Sequence, residues 1–216
     1  MKFDRRLIPA APDLSFEQAL WTAGVQYVAG IDEAGRGALA GPVAAAAIIF
    51  PADRQLADRL VGVRDSKQMT PAERGEWAVR LPILSLTQAV GFASAQEIDE
   101  IGIVPATRLA VQRALAQLSI NPEHLLIDYL RLPDTELPQT ALVKGDQRSL
   151  SIAAASILAK TARDKVLCQI DKEFPGYGFA AHKGYGTAAH RQTILTSGYS
   201  AVHRRSFRIN QSETHS

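Results

Sequence analysis

YVAGIDEAGRGALAGPV, residues Tyr27–Val43, runs from an apolar segment straight into two adjacent carboxylates and then into a glycine-framed arginine. Tyr27 to Ile31 shows no alternation of polar and apolar positions, which predicts a short strand buried on both faces. Ending such a strand in Asp32-Glu33 is costly, because a buried carboxylate without a partner takes up a proton. These two acids therefore need a cation, strong donors or water. Neighbouring side chains on a regular strand face opposite ways, so Asp32 and Glu33 share a site only if the chain bends there. Gly35 and Gly37 are expected to supply that bend and to let backbone amides approach a ligand. Arg36 offers a fork suited to phosphate.

Three readings stay open for this stretch. It is a plain strand and turn, a metal and phosphate site, or a dinucleotide site, since Gly35 to Ala40 fits G-x-G-x-x-A after a strand. Against the last, Asp32 and Glu33 put negative charge beside a pyrophosphate, and Gly41-Pro42 stops the helix that should follow. A nucleotide P-loop fails as well, because Arg36-Gly37 stands where Lys-Ser/Thr is required.

The whole chain has 216 residues, 46% of them hydrophobic, enough to bury a sizeable core as one large domain or one domain with an appendage. No apolar run approaches a membrane span, and MKFDRRLIPAAPD lacks the pattern of a signal peptide, so the expectation is a cytoplasmic chain without a membrane partner. The single cysteine, Cys168, is expected to pack rather than react. Net charge is only +2, yet no acid occurs from Phe174 to Ser212. That segment holds Lys183, Arg191, Arg204, Arg205 and Arg208, with three histidines and three tyrosines interleaved. Basic residues mixed with aromatics suit a polyanion with exposed sugar or base faces; a solvated basic tail is the alternative.

Strand and helix patterns alternate in between. Ser15 to Gln18 has capping-box spacing, predicting a short helix to Trp21, and Val43 to Phe50 reads as a second strand. Thr70-Pro71-Ala72-Glu73 predicts a helix to about Arg80, and Pro82 to Ala95 reads as a third strand with Thr87 and Gln88 facing out. A helix after Pro105 places Val111, Ala114, Leu115 and Leu118 on one face. Leu125 to Asp128 and Ala141 to Asp146 read as fourth and fifth strands. A helix from about Ser151 to Lys172 buries Ala155, Ala159, Ala162, Val166 and Ile170. Lys160 and Arg163 fall outside that stripe, either solvated or touching a phosphate backbone.

Three of these strands thus end in acids, and in an open α/β sheet ligands gather where strands end. Asp32, Glu33, Asp128 and Asp146, with no histidine or cysteine among them, favour a hard divalent ion such as Mg²⁺ or Mn²⁺ over zinc. The bland alternative makes each acid a helix cap. It suits Asp146, which precedes Ser149 and Ser151, but not Asp32, after which no helix is expected.

GIDEAGRGALAGPV, DSK at Asp65 to Lys67, KGDQRSLSIAAASILAKTARD, and HKGYGT with HRRSF together resemble the bacterial ribonuclease HII family. The likeness runs from about Leu14 to Phe207. Departures are small: Ala38 stands where proline is common in the family, and Gln68-Met69 follows DSK. Ribonuclease HIII resembles the chain less, since its last acid is Glu where Asp146 stands, and the residues before the first strand are too few for its extra domain. The resemblance implies a ribonuclease H-like fold, with a five-stranded mixed sheet containing one antiparallel strand, flanking helices and a helical C-terminal region. Residues 1–26 would form an N-terminal arm, 27–174 the catalytic core, and 175–216 a basic substrate-binding region with a disordered tail.

It further implies that Asp32, Glu33, Asp128 and Asp146 are metal-binding catalytic acids. The Gly35–Gly37 turn would touch a ribose 2′-hydroxyl and nearby phosphates, and Tyr185 would stack on the sugar of the following deoxynucleotide. With Lys67, Ser149 and Lys160, these residues complete the expected substrate-binding set. The implied enzyme is a monomer acting on RNA–DNA hybrids and on duplex DNA containing ribonucleotides, in ribonucleotide removal and DNA replication and repair. It would use two Mg²⁺ or Mn²⁺ ions about 4 Å apart, leaving 3′-hydroxyl and 5′-phosphate ends.

Overall fold

The computed structural model describes residues 4, 6, 8–53 and 55–208. Its strands are β1 (Val28–Ala34), β2 (Val43–Ile49), β3 (Thr87–Ala93), β4 (His124–Asp128) and β5 (Gln139–Leu142), in the order β3-β2-β1-β4-β5. β2 runs against both of its neighbours, whereas β1, β4 and β5 are parallel, so one strand of a mixed five-stranded sheet is antiparallel. The helices are α1 (Ser15–Thr22), α2 (Leu56–Arg59), α3 (Pro71–Leu84), α4 (Ala95–Ile101), α5 (Ile103–Leu115), α6 (Leu150–Glu173), α7 (Phe179–His182) and α8 (Ala188–Ser197). Among the described residues no helix is long and apolar enough to cross a membrane.

The unbroken apolar runs are explained by cover on both faces of the sheet. Ala46, Ile48 and Phe50 pack toward α2, α3 and the first half of α6, while Ala45, Ala47 and Ile49 pack toward α4 and α5. The helices come close because the sheet carries so little bulk at its centre. A Cβ on Gly30 would fall on Ser151 at the start of α6, and one on Gly91 would fall on the Ala110 carbonyl of α5. Close approach of this kind maximises dispersion contacts from small side chains.

Several local expectations are corrected. The first helix forms where the pattern places it, but Ser15 is not its cap: Asp13 Oδ1 accepts from the Ser15 amide at 2.8 Å. The Thr70–Glu73 capping box is present, yet α3 continues past Arg80 to Leu84, with Pro82 in its last turn. Trp77 and Leu81 anchor that turn in the core and offset the hydrogen bond that Pro82 cannot donate. The third strand is accordingly shorter, beginning at Thr87, whose side chain is buried and accepts from the Ser119 amide at 3.1 Å. A helix, α4, starts at Ala95 behind a capping box of Ser94 and Glu97 that the reading missed. α5 starts at Ile103, with Pro105 inside its first turn. β5 stops at Leu142, and Lys144 turns left-handed (φ 55°), so Asp146 arrives on a 3₁₀ turn, Gly145–Gln147, rather than at a strand end.

On α6, Ala155 and Ala159 are buried as expected, but the stripe continues through Arg163 and Leu167, not through Ala162 and Val166. Neither solvent nor a phosphate backbone can reach the Arg163 side chain, which is fully buried. The basic C-terminal region is not a solvated tail either, since His190, His203 and Arg204 are buried in it. Cys168 is half-buried on α6. The tail expected to be disordered lies, except for Arg208, outside the described residues.

Glu17 on α1 was not singled out by its sequence, yet it is 1% exposed. Its Oε1 accepts from the Ser149 hydroxyl at 2.6 Å, the Ser151 hydroxyl at 2.5 Å and the Ser151 amide at 3.0 Å, fastening α1 to the start of α6. Oε2 has no hydrogen-bond partner, and burial raises the pKa of this carboxyl above its ordinary value. Glu17→Ala should cost about 2–4 kcal/mol, because it leaves three donors without their acceptor. The raised folded pKa means that the folded state holds its proton longer than the unfolded chain, so this group's contribution falls as pH rises above the unfolded value of 4.5. Glu17→Gln should remove that decline, and denaturant titrations of both proteins from acid to neutral pH would show the difference in slope.

Candidate active site

β1 stays regular through Ala34, still paired with β2 at Ala34↔Ala44, so the bend comes after the two acids and not between them. Strand alternation therefore sends Asp32 toward α6 and starts Glu33 on the other face, but the Glu33 carboxylate lines the adjacent cleft and its charge acts on both Asp32 and Asp128. β4 lies parallel to β1 and ends at Asp128, and the Gly145–Gln147 turn brings Asp146 to the same place. One carboxylate oxygen from each of Asp32, Asp128 and Asp146 lies within 4.8 Å of the others. Glu33 is outside this trio, and its Oε1 accepts from Arg36 Nη1 at 3.0 Å.

Each member of the trio is held from its own segment. Asp32 Oδ1 accepts from the Glu33 amide and Asp128 Oδ1 from the Gly145 amide, both at 2.7 Å. Glycine suits the tight corner from which the second bond is made, since a Cβ at Gly145 would press on Ile152 and Leu142. Burial, reinforced by the charges of Glu33, Asp128 and Asp146, pushes the Asp32 carboxyl well above the usual carboxylate range. Burial and the charges of Asp128 and Asp65 likewise push Asp146 up to about 6, and burial raises Asp128. Three carboxyls that resist ionisation together form a site whose missing component is positive charge. An all-oxygen donor set without imidazole or thiolate fits a hard divalent cation.

Beside the trio lies a cleft of about 630 Å³, lined by Glu33, the Gly35–Gly37 turn, Ser66, Lys67, Arg74, Lys160 and Tyr185. Gly35 takes a left-handed conformation (φ 91°), and a Cβ there would collide with the Arg163 guanidinium, so only glycine suits the position. Lys67 Nζ lies 3.5 Å from Asp146 Oδ2. Lys160 Nζ bonds Asp164 at 2.7 Å and sits 5.5 Å from the Tyr185 ring, whose centroid is also 5.3 Å from the Arg163 guanidinium carbon.

Ser149 is the exception among the expected substrate contacts. It is fully buried, its hydroxyl capping α6 at the Ile152 amide and donating to Glu17, so its role is structural in this conformation. The sequence reading also passed over Asp65, a buried acid that accepts from the Lys67 amide at 2.9 Å and from Gln147 Nε2 at 3.3 Å. Asp65 thereby joins the DSK turn to the turn bearing Asp146. The apolar surroundings of DSK, with Val63 before it and Met69 after it, were the available signal for its burial.

Comparison with known proteins identifies the family and the fold. The family model described as Ribonuclease HII matches residues 29–210. A ribonuclease HII of Synechococcus sp. (strain JA-3-3Ab) is 53% identical over 196 residues, covering 91% of this chain and 88% of the relative. The solved ribonuclease H2 of Pyrococcus horikoshii OT3 superposes with a TM-score of 0.70 at 25% identity, over 84% of this chain and 94% of that one. A Bst ribonuclease HIII solved in complex with Mn²⁺ shares the fold at a TM-score of 0.58 and 21% identity, over 81% of this chain and 63% of that one. The mixed sheet and its flanking helices thus sit in a known frame, and the chain belongs to the ribonuclease HII family of metal-dependent endoribonucleases.

Proposed function

We propose that the chain hydrolyses the RNA strand of RNA–DNA hybrids and the 5′ side of ribonucleotides embedded in duplex DNA, acting in ribonucleotide removal. The observation that carries this reading is the convergence of Asp32, Asp128 and Asp146, from three separate parts of the chain, beside a cleft edged by Gly35–Gly37. Asp32, Glu33, Asp128 and Asp146 would hold two ions, Mg²⁺ or Mn²⁺. When bound, such ions supply an activated water and neutralise charge on the phosphate and on the leaving 3′ oxygen, giving 3′-hydroxyl and 5′-phosphate ends.

The remaining work belongs to the protein. The Glu33 and Gly145 amides fix the carboxylate oxygens of Asp32 and Asp128 before substrate arrives, so little reorganisation is needed in the reaction. Lys67 and Lys160 set positive charge along the cleft for backbone phosphates, and Glu33 orients Arg36 for the same task. Amides of Gly35–Gly37 would meet the ribose 2′-hydroxyl. DNA has no oxygen there, so an all-DNA strand leaves those donors unpaired. Tyr185, exposed by 36% at the cleft edge, would stack on the next sugar. In this reading residues 27–174 carry the chemistry, residues 175–216 bind substrate, and a monomer suffices.

A labelled DNA duplex carrying one ribonucleotide tests the proposal: nicking with divalent metal, none without it, and none of the all-DNA duplex. A chain that bound the duplex but never nicked it would be a binding module. Asp146→Asn should lower turnover by far more than the roughly 10–100-fold typical of an outer-sphere partner, with hybrid binding largely kept. Retained turnover would remove Asp146 from the chemistry. Tyr185→Ala should reduce cleavage at RNA–DNA junctions by about tenfold while affecting uniform hybrids less, in line with the loss of one stacking contact. An equal loss on both substrates would contradict the sugar contact.

A further inference from the structure

The segment linking β1 to β2, residues 35–42, turns its carbonyls inward onto two buried arginines. Arg163 donates from Nε to Pro42 O at 2.8 Å, from Nη2 to Ala40 O at 3.1 Å and from Nη1 to Lys183 O at 2.9 Å. Arg204 donates from Nε to Gly41 O at 3.0 Å and from Nη1 to Arg36 O at 2.9 Å. Both side chains are fully buried, and these donors go to carbonyls rather than to carboxylates. Burying a guanidinium that no carboxylate hydrogen-bonds is expensive even with Asp99 acting on Arg204 and Asp164 on Arg163 through space, and Arg204 Nη2 is left with no hydrogen-bond partner. Packing alone would be served better by an apolar side chain, so the arrangement calls for another explanation.

The position of the Arg36 carbonyl supplies one. A trans peptide holds its C=O and N–H antiparallel, so drawing Arg36 O inward turns the Gly37 N–H the opposite way, out toward the cleft that Gly37 lines. Arg204 itself rests on fixed supports. Its amide bonds Leu39 O at 2.8 Å, the preceding His203 bonds His190 at 3.0 Å, and the Arg205 and Ser206 amides bond Asp99 on α4 at 2.9 Å. Arg163 secures the same loop to the segment bearing Tyr185, and the Leu39 amide reinforces that link by bonding Gly184 O at 2.8 Å.

We propose that Arg204 is a specificity-determining positioning residue, whose fork on the Arg36 and Gly41 carbonyls aims the Gly37 amide at the ribose 2′-hydroxyl. This rests on the reading of Gly35–Gly37 as the 2′-hydroxyl contact. Arg204 touches no substrate; it acts through the peptide it holds. R204K tests it, because lysine keeps the charge and loses the fork.

The readout is the KM for a duplex with one ribonucleotide, set against the inhibition constant of the all-DNA duplex as competitor. R204K should raise the first by about tenfold or more, the scale of a small misplacement, and leave the second within about twofold. A merely structural role would lower the active fraction or shift both constants together, and either outcome would overturn the proposal. If the unmodified protein bound both duplexes equally, the 2′-hydroxyl reading itself would fail. If it discriminated and R204K kept the same ratio, that reading would stand and the role of Arg204 would fall. Should circular dichroism show R204K unfolded, R204Q carries the same comparison, since it removes the charge and keeps a donor near Arg36 O.

Discussion

Three carboxylates with oxygens within 4.8 Å of one another repel, and the burial of Asp32 and Asp146, with Asp128 half-buried between them, limits how far water can screen that repulsion. Everything near them can be understood as a way of holding that arrangement. Parallel pairing of β1 with β4 fixes Asp32 and Asp128 through a rigid ladder rather than through loops. The Gly145 amide ties Asp128 to the turn that carries Asp146, and Asp65 ties the same turn to the DSK segment through Gln147. The folded protein therefore keeps an electrostatically unfavourable site in shape with backbone geometry and leaves the charge imbalance for a cation to relieve.

Such a site needs a close-packed base, and small residues provide it. Gly30 in β1 lets Ser151 approach the sheet, while Ser149, the cap of α6, and Ser151 itself are fastened by Glu17. The start of α6 is thus fixed from below by the sheet and from the side by α1. Asp146 precedes that cap by three residues, so its position inherits the rigidity of the helix. Glu17 is far from Asp146 in sequence, but the two are mechanically connected through one helix terminus.

Much of this was legible in the sequence where a physical rule has a short range. Unbroken apolar runs marked β1, β2 and β4 because cover on both faces removes the need for alternation, and Thr70–Glu73 marked a helix start because its capping chemistry is local. The errors came where tertiary contacts override local preference. Pro82 looked like a helix terminator, but Trp77 and Leu81 hold its turn in place. Asp146 looked like a strand end, yet the left-handed Lys144 ends β5 early. Arg163 falls outside the stripe when Ala162, Val166 and Ile170 are taken to continue it after Ala159, whereas the buried line runs through Arg163, four residues after Ala159, and Leu167, four residues further on. Glu17 and Arg204 are harder still, since nothing local tells a buried polar side chain from an exposed one when its partners are distant in sequence.

The buried charges also explain why net charge is a poor guide to this protein. The formal balance is only +2, but acids collect around Asp32 at one side of the cleft, while Arg163 and Arg204 lie beneath the loop at the other. Neither group is neutralised by the other. Inside a protein such fixed charges act over short distances with little screening, so what matters is where each field points and not their sum. A phosphodiester with its accompanying cations is complementary to both sides at once: cations meet the acids, and phosphate oxygens meet the exposed donors of a loop whose carbonyls the arginines have already taken. The acids and the arginines are each destabilising as folded-state features, and they make sense together only as the two halves of a site that a charged backbone completes.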